Sequence, residues 1–330
     1  MIRNGNPNNY VLIIGSSNMD LNIYSTRLPK PGETVTGGIF KQFLGGKGAN
    51  QSVASVRSGA DTFFIGKIGN DNYGDQMIDR LHKEGINTDF IIRDSLNHSG
   101  VAFILIDNYG ENMISVAPGS NSKLHKKEIK KYREIIMQCK VLVVQMEIPI
   151  ETISIIFNIA SKGGAIKILN PAPLKPIPKE ILKNIDIIIP NEGELFQLHT
   201  LLGYKPFKNN IIKNSMELVI KASKDIGILG LKFIITTLGS RGCLIYDVLN
   251  DKTIKLPSYK VNAKDTVGAG DCFNGVLASQ LCKGKPILNA VKYAICAASI
   301  AVTREGAQES MPFLNEIKER VIKYNNIVNL

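Results

Sequence analysis

The chain contains no apolar run long enough to cross a bilayer. Stretches such as residues 11–14, 141–144 and 187–189 fall far short of the roughly 20 residues a spanning helix needs, and they read as buried strands. A membrane is therefore not expected as a partner. The start, residues 1–9, is polar and rich in Asn, without an apolar stretch ahead of a small-residue cleavage site. It is expected to be a flexible tail on a cytoplasmic protein. The five cysteines, Cys139, Cys243, Cys272, Cys282 and Cys296, form no Cys-x-x-Cys pair and no Cys/His cluster at zinc-ligand spacing. Reduced structural thiols remain, which suit the cytosol. Two phosphate-binding fingerprints are missing as well. The glycine-rich turn at residues 45–50 lacks the Gly-x-x-x-x-Gly-Lys-Ser/Thr spacing of a Walker A loop. No Gly-x-Gly-x-x-Gly follows the first apolar run, which argues against a dinucleotide site. Repeats, low-complexity blocks and true linkers are also lacking.

What is present describes a folded globular chain. Of 330 residues, 44% are hydrophobic and 21% charged, enough for one large α/β domain or two medium ones with a substantial core. The formal charge is +11, most of it scattered lysine. Only residues 123–133 concentrate it, with the spacing of a helix that has one solvated face. That reading is preferred over nucleic-acid contact, and a basic surface also attracts anionic substrates such as nucleotides.

From Tyr10 onward, short apolar runs alternate with longer stretches of helical period, the pattern of βαβ units and a mostly parallel sheet. Strands are expected at residues 10–14, 62–68, 141–145, 165–169, 186–189 and 232–236. Helices are expected at 49–58, 74–83, 150–161, 192–202, 215–226, 271–282, 287–302 and 314–324. Residues 21–44 and 99–120 break the rhythm with strand-like sequence and no helix between. The second reads as a hairpin turning at Asn108-Tyr109-Gly110. The two stretches form either a small sheet standing off the main domain or an antiparallel edge on the main sheet.

In open parallel sheets ligands bind beyond the carboxyl ends of the strands. Polar residues recur there: Asn18 and Asp20, Glu147, Asn170, Asn191, and Gly239 with Ser240. Each alone is an ordinary turn former or helix cap; together they point to one elongated site. The sharpest segment is Asp265-Thr266-Val267-Gly268-Ala269-Gly270-Asp271. Its glycines bare the backbone just before an apolar-faced helix, and N–H groups at a helix start favour a developing phosphate charge. A carboxylate there repels phosphate, so Asp271 suits acceptance of a substrate hydroxyl proton. Service as a plain N-cap is an equally good reading of Asp271 taken alone. In Gly45-Gly46-Lys47-Gly48-Ala49-Asn50, Lys47 and Asn50 offer donors that suit sugar hydroxyls, with a plain tight turn as the alternative.

At these two glycine motifs the sequence resembles the ribokinase branch of the PfkB-type carbohydrate kinases, over nearly its whole length. Pro31 to Val35, Gly45 to Asn50, Asn170 to Pro173, Asn191 to Glu194, Thr237 to Gly242 and Thr303 to Gln308 stand in that family's order. The resemblance implies a three-layer α/β/α domain with a mostly parallel central sheet, from residues 10–20, 45–98 and 121–330. A small β-sheet lid from residues 21–44 and 99–120 would pair in a homodimer. Asn18, Met19, Asp20, Gly46, Lys47, Gly48, Ala49, Asn50 and Glu147 match sugar contacts of the family. Asn191, Thr237, Leu238, Gly239, Ser240, Arg241, Gly242, Gly270, Asp271 and Ile295 match nucleotide contacts. Asp271 matches the catalytic base and Gly268, Ala269 and Gly270 the anion hole. The implied reaction moves the γ-phosphoryl of ATP to the 5-hydroxyl of D-ribose, with Mg²⁺ on the phosphates. Asp265, Val267, Ala301, Arg304, Gly306 and Ser310 match a site for an activating K⁺, mostly through backbone carbonyls. Two features depart from the pattern: Glu305 and Glu309 add negative charge near that loop, and Ile295 stands where many relatives place a polar residue. Rival readings are a kinase for deoxyribose, adenosine or fructose, a sugar or nucleotide sensor without chemistry, and a nucleic-acid-binding protein.

Overall fold

A strand buried on both faces has no polar side to show, so it reads as a continuous apolar run. The computed structural model describes residues 8–207 and 216–328 and places those runs at its centre. Its strands are β1 (Val11–Ile14), β2 (Asn18–Tyr24), β3 (Ile39–Gly45), β4 (Thr62–Ile65), β5 (Lys67–Gly69), β6 (Ile92–Asp94), β7 (Gly100–Ile106), β8 (Asn112–Ala117), β9 (Val141–Gln145), β10 (Ile166–Asn170), β11 (Ile187–Ile188), β12 (Phe233–Thr237), β13 (Cys243–Asp247) and β14 (Lys252–Leu256). Its helices are α1 (Lys47–Arg57), α2 (Asn72–Lys83), α3 (Lys126–Ile129), α4 (Arg133–Gln138), α5 (Ile150–Ala160), α6 (Lys179–Leu182), α7 (Glu192–Leu201), α8 (Met216–Gly227), α9 (Ala269–Cys282), α10 (Ile287–Ala301) and α11 (Leu314–Val328).

The main sheet runs β14-β13-β12-β11-β10-β9-β1-β4, parallel from β4 to β12 and antiparallel at β13 and β14. Alternation along a strand sends neighbouring side chains to opposite faces. Val11, Ile13, Val141, Val143 and Ile235 accordingly pack with α1, α9, α10 and α11. Leu12, Ile14, Leu142, Val144 and Ile234 pack with α5, α7 and α8. The result is a three-layer α/β/α sandwich.

The helix-free stretches form a separate sheet in the order β3-β2-β7-β8, so the stand-off arrangement is the one adopted. It starts at Asn18, which puts Asn18 and Asp20 on the small sheet's own strand β2. Its base rests on α2 through Met19, Leu21, Ile68 and Met77. The hairpin from β7 to β8 turns at residues 107–111 with Gly110 at a φ of +82°.

Two expectations need correction, and one pair of strands went unpredicted. Residues 62–68 are two strands, because the chain breaks at Gly66 and β5 leaves the main sheet to pair with β6. The basic run 123–133 is a short α-helix between 3₁₀ turns, broken where one solvated helix was expected. The antiparallel edge β13 and β14 has too mixed a pattern to stand out in the sequence. Residues 1–7 of the expected tail and Ser215 of the expected helix lie outside the described residues. Among the described residues no helix is long and apolar enough to cross a membrane. All five cysteines are buried and unpaired.

Candidate active site

Helix α1 starts where two backbones meet. A Cβ on Gly46 would lie 2.6 Å from Ser17 Cα, and one on Gly48 would lie 2.8 Å from Gly15 Cα. Gly46 also has a φ of +87°, so glycine is required there on both counts. The turn that sequence left open between tight turn and ligand loop thus presses the start of α1 against the chain leaving β1. Free N–H groups at that start favour an anion. Glu147 meets them: its Oε2 accepts from Lys47 N at 3.1 Å and from the Ser16 hydroxyl.

Asp20 enters from β2. Burial pushes its carboxyl up to about 7, with Glu147, Asp271 and Glu309 adding and Lys47 opposing. Lys47 is held above its ordinary value, first by the charge of Asp271, against burial and with help from Glu147, Glu194 and Asp20. Among the described residues no carboxylate pairs with it directly. Its ammonium balances the pocket as a whole. Asn18 Oδ1 accepts from Asn121 Nδ2 at 2.8 Å, which leaves the Asn18 amide nitrogen as a donor. Asn50 Oδ1 is buried without a partner among the described residues, an acceptor for a hydroxyl. Of the other expected sugar residues, Met19 packs at the base of the small sheet and Ala49 in the core, so only their backbone can face a ligand.

At the start of α9, Gly268 takes the N-cap position in the left-handed region with a φ of +72°. Among the described residues the N–H groups of Gly270 and Asp271 find no acceptor. Asp271 does not cap its helix. Its buried carboxylate turns to α1, accepting from Asn50 Nδ2 at 3.0 Å on Oδ2 and from Gln51 Nε2 at 2.9 Å on Oδ1. Gly268, not Asp271, takes the cap position, and Asp271 is turned toward Asn50 and Gln51 of α1.

Beyond α9 opens a cleft of about 930 Å³, walled by Val261, Phe273, Ile295, Ala298 and Val302 and fringed by polar Ser240, Tyr259, Asn262, Thr266 and Ser299. An apolar slot with a few polar groups fits a flat base. Of the residues expected at the nucleotide, Thr237, Gly239, Ser240, Gly242, Gly270 and Ile295 line it. Asn191, Leu238, Arg241 and Asp271 do not. Asn191 caps α7, accepting from Glu194 N at 2.8 Å. Leu238 is in the core, and Arg241 pairs with Glu192. Sequence reading missed Tyr259, Asn262 and Ser299, which lie on irregular segments or a helix flank without a motif, and it gave Thr266 of the glycine segment no role. It also missed Gln51, Gln145 and Glu194. Burial raises the Glu194 carboxyl, which faces Lys47 and Asp271. The Asn191-x-x-Glu194 capping-box spacing was the available signal.

The expected cation loops meet through Asp265, whose Oδ1 accepts from Val267 N at 2.9 Å and Oδ2 from Gly306 N at 3.0 Å. The carbonyls of Val267, Arg304 and Gly306 accept no backbone hydrogen bond among the described residues, and the Ala301 carbonyl accepts one. Ser310 Oγ donates to Ala307 O at 2.8 Å, keeping its lone pairs free. Arg304's guanidinium pairs with Glu316, so only its backbone can serve an ion. Glu305 pairs with Lys264 at 3.1 Å and with Lys41 of the small sheet at 3.6 Å.

A buried carboxylate beside a bare helix start, between a hydroxyl-binding pocket and a slot for a base, is the machinery of a small-molecule kinase. The chain belongs to the pfkB family of carbohydrate kinases, whose model matches residues 8–314. It is 36% identical to a ribokinase of Staphylococcus aureus over 313 residues, covering 94% of this chain and 99% of that one. It is 32% identical to a deoxyribokinase of Salmonella typhi over 310 residues, covering 94% and 97%. Among solved structures it is similar to the Arabidopsis thaliana ribokinase complexed with ribose and ATP, with a TM-score of 0.86, 28% identity and coverage of 94% and 98%.

Proposed function

We propose that the protein is a ribokinase, converting D-ribose and ATP to D-ribose 5-phosphate and ADP. One observation carries the reading: Asp271 is buried at the start of α9 with its carboxylate turned toward the sugar-side residues of α1. The 5-hydroxyl oxygen bonds to the γ-phosphorus, its proton passes to Asp271, and the bond from that phosphorus to the β–γ bridging oxygen breaks as ADP leaves. The backbone of Gly268 to Gly270 stabilises the transferring group. Lys47 offsets the negative charge gathered there.

The density of polar groups favours ribose. Asp20, Lys47, Asn50 and Glu147, with the Asn18 amide, offer more hydroxyl partners than a sugar lacking its 2-hydroxyl uses. The deoxyribokinase relative makes deoxyribose the rival to exclude, with adenosine and fructose behind it. Turnover of the four compounds with ATP tests this. Ribose is expected to exceed deoxyribose in kcat/KM by about 100-fold, since a site built to bond a hydroxyl rejects its absence. A ratio near one, or an inverted one, overturns the choice of sugar.

Mg²⁺ would arrive on the nucleotide phosphates and supply charge neutralisation there. The hard backbone carbonyls of Val267, Ala301, Arg304 and Gly306, with Ser310 and Asp265, fit a monovalent cation such as K⁺. In the same reading, residues 21–44 and 99–120 act as a lid on the remainder. Exposed Ile39, Phe40, Phe103, Met113, Ile114 and Val116 support pairing of lids in a homodimer. Free buried thiols support a cytoplasmic location.

A further inference from the structure

The partners of Asp271 form a chain of amides along the carboxyl ends of the sheet. Gln51 Nε2 donates to Asp271 Oδ1 at 2.9 Å and to Asn170 Oδ1 at 3.1 Å, committing both of its hydrogens. Gln51 Oε1 accepts from Gln145 Nε2 at 2.7 Å. Asn170 Nδ2 donates onward to Ile189 O at 3.0 Å. Gln51 and Gln145 are fully buried, and Asn170 and Asp271 nearly so.

Chemistry fixes each orientation. An ionised carboxylate only accepts, so Gln51 must present nitrogen to Asp271 and oxygen to Gln145. A proton on Asp271 Oδ1 would set hydrogen against hydrogen. Gln145 holds the chain at a cost, because its Oε1 is buried without a partner among the described residues, beside Gly15, where a Cβ would come within 2.0 Å of it. An apolar residue at 145 would avoid that cost and lose the bond to Gln51.

We propose that Gln51, oriented by Gln145, is a positioning residue for phosphoryl transfer, holding the Asp271 carboxylate in the rotamer and proton-accepting form that meets the sugar hydroxyl. The inference rests on Asp271 being the general base. Other groups facing Asp271 are Lys47 from α1, Asp20 from β2, Glu194 from α7 and its chain neighbour Cys272.

The test uses the full chain with saturating ribose and ATP, measuring kcat against pH, ribose KM and Tm. Gln51→Glu sets a second carboxyl against Asp271, and two such groups in contact share one proton. Its kcat at pH 7 is expected to fall by about 100-fold and to recover as pH rises, the acid limb moving up by at least about one pH unit. Ribose KM should change less than about threefold. Gln145→Leu touches no ligand and should lower kcat by about fivefold at unchanged KM. A Gln51→Glu acid limb at the parent's position, or losses that track Tm alone, overturn the proposal. If Gln51→Glu does not fold, an unchanged kcat in Gln145→Leu overturns it. Asp271→Asn separates the two readings: turnover within about tenfold of the parent removes the base itself, whatever Gln51 does.

Discussion

Asp20 changes charge near neutral pH, with consequences for binding and for folding. Burial among Glu147, Asp271 and Glu309 raises its carboxyl to about 7. Between the ordinary aspartate range and pH 7 the folded chain therefore holds a proton that the unfolded chain has released. The stability this contributes is complete below the ordinary range and is lost as pH rises through about 7. A sugar hydroxyl that donates to Asp20 prefers the ionised form, so binding follows the opposite course. Ribose affinity, read by titration calorimetry, is expected to weaken about tenfold from pH 8 to pH 6. In Asp20→Asn the slope should vanish, overall affinity should drop, and Tm at pH 8 should rise by a few degrees. A slope that survives the substitution would assign the titration to another group.

Helix α1 does several jobs at once: its first turn binds Glu147, its next residues hold Asp271, and its end anchors Arg57. Arg57 pairs with Glu84 and donates to Gln308 O at 3.0 Å and Met311 O at 2.7 Å, pinning the loop that carries the proposed cation residues. The seat of the helix is the contact between Gly48 and Gly15, backbone on backbone, where no side chain can yield. Gly48→Ala is expected to shift the first turn, raise ribose KM by at least about tenfold and cost on the order of 1–3 kcal/mol. Kinetics and thermal unfolding check both, and an unchanged KM would show that the turn has slack. Gly48 was legible as part of a glycine-rich turn entering a helix, but the close approach to Gly15 that makes it necessary is visible only in the packing. The central strands were legible through burial on both faces. Gln51 was not, because a Gln in a helix shows its partner only once the packing of α1 against α9 is known. Asn191 was legible only in part: its strand-end position puts it beside Thr237 of the cleft, while its Oδ1 is engaged in capping α7.

At the scale of the whole molecule, the small sheet leaves Ile39, Phe40, Phe103, Met113, Ile114 and Val116 exposed. Strand pairing puts Asp20, Phe43, Lys41 and Ile114 on one face of it. Phe43 lies against Gly306 and Lys41 reaches Glu305, so this face looks toward the cleft. Ile114 is 58% exposed on it. Ile114→Lys is expected to convert the proposed dimer to monomer by sedimentation and to raise ribose KM several-fold, by loosening the cover. A parent that sediments as a monomer would remove the dimer while leaving the chemistry intact.

The shielding of the thiols has a further chemical consequence. Burial holds all five above the ordinary thiol range, most strongly Cys272, one residue past Asp271. Thiolate is the form that peroxide and alkylating agents attack. The intact fold offers them almost none. Oxidative loss of activity in this protein would therefore report a core that had already opened, with damage following unfolding rather than starting it.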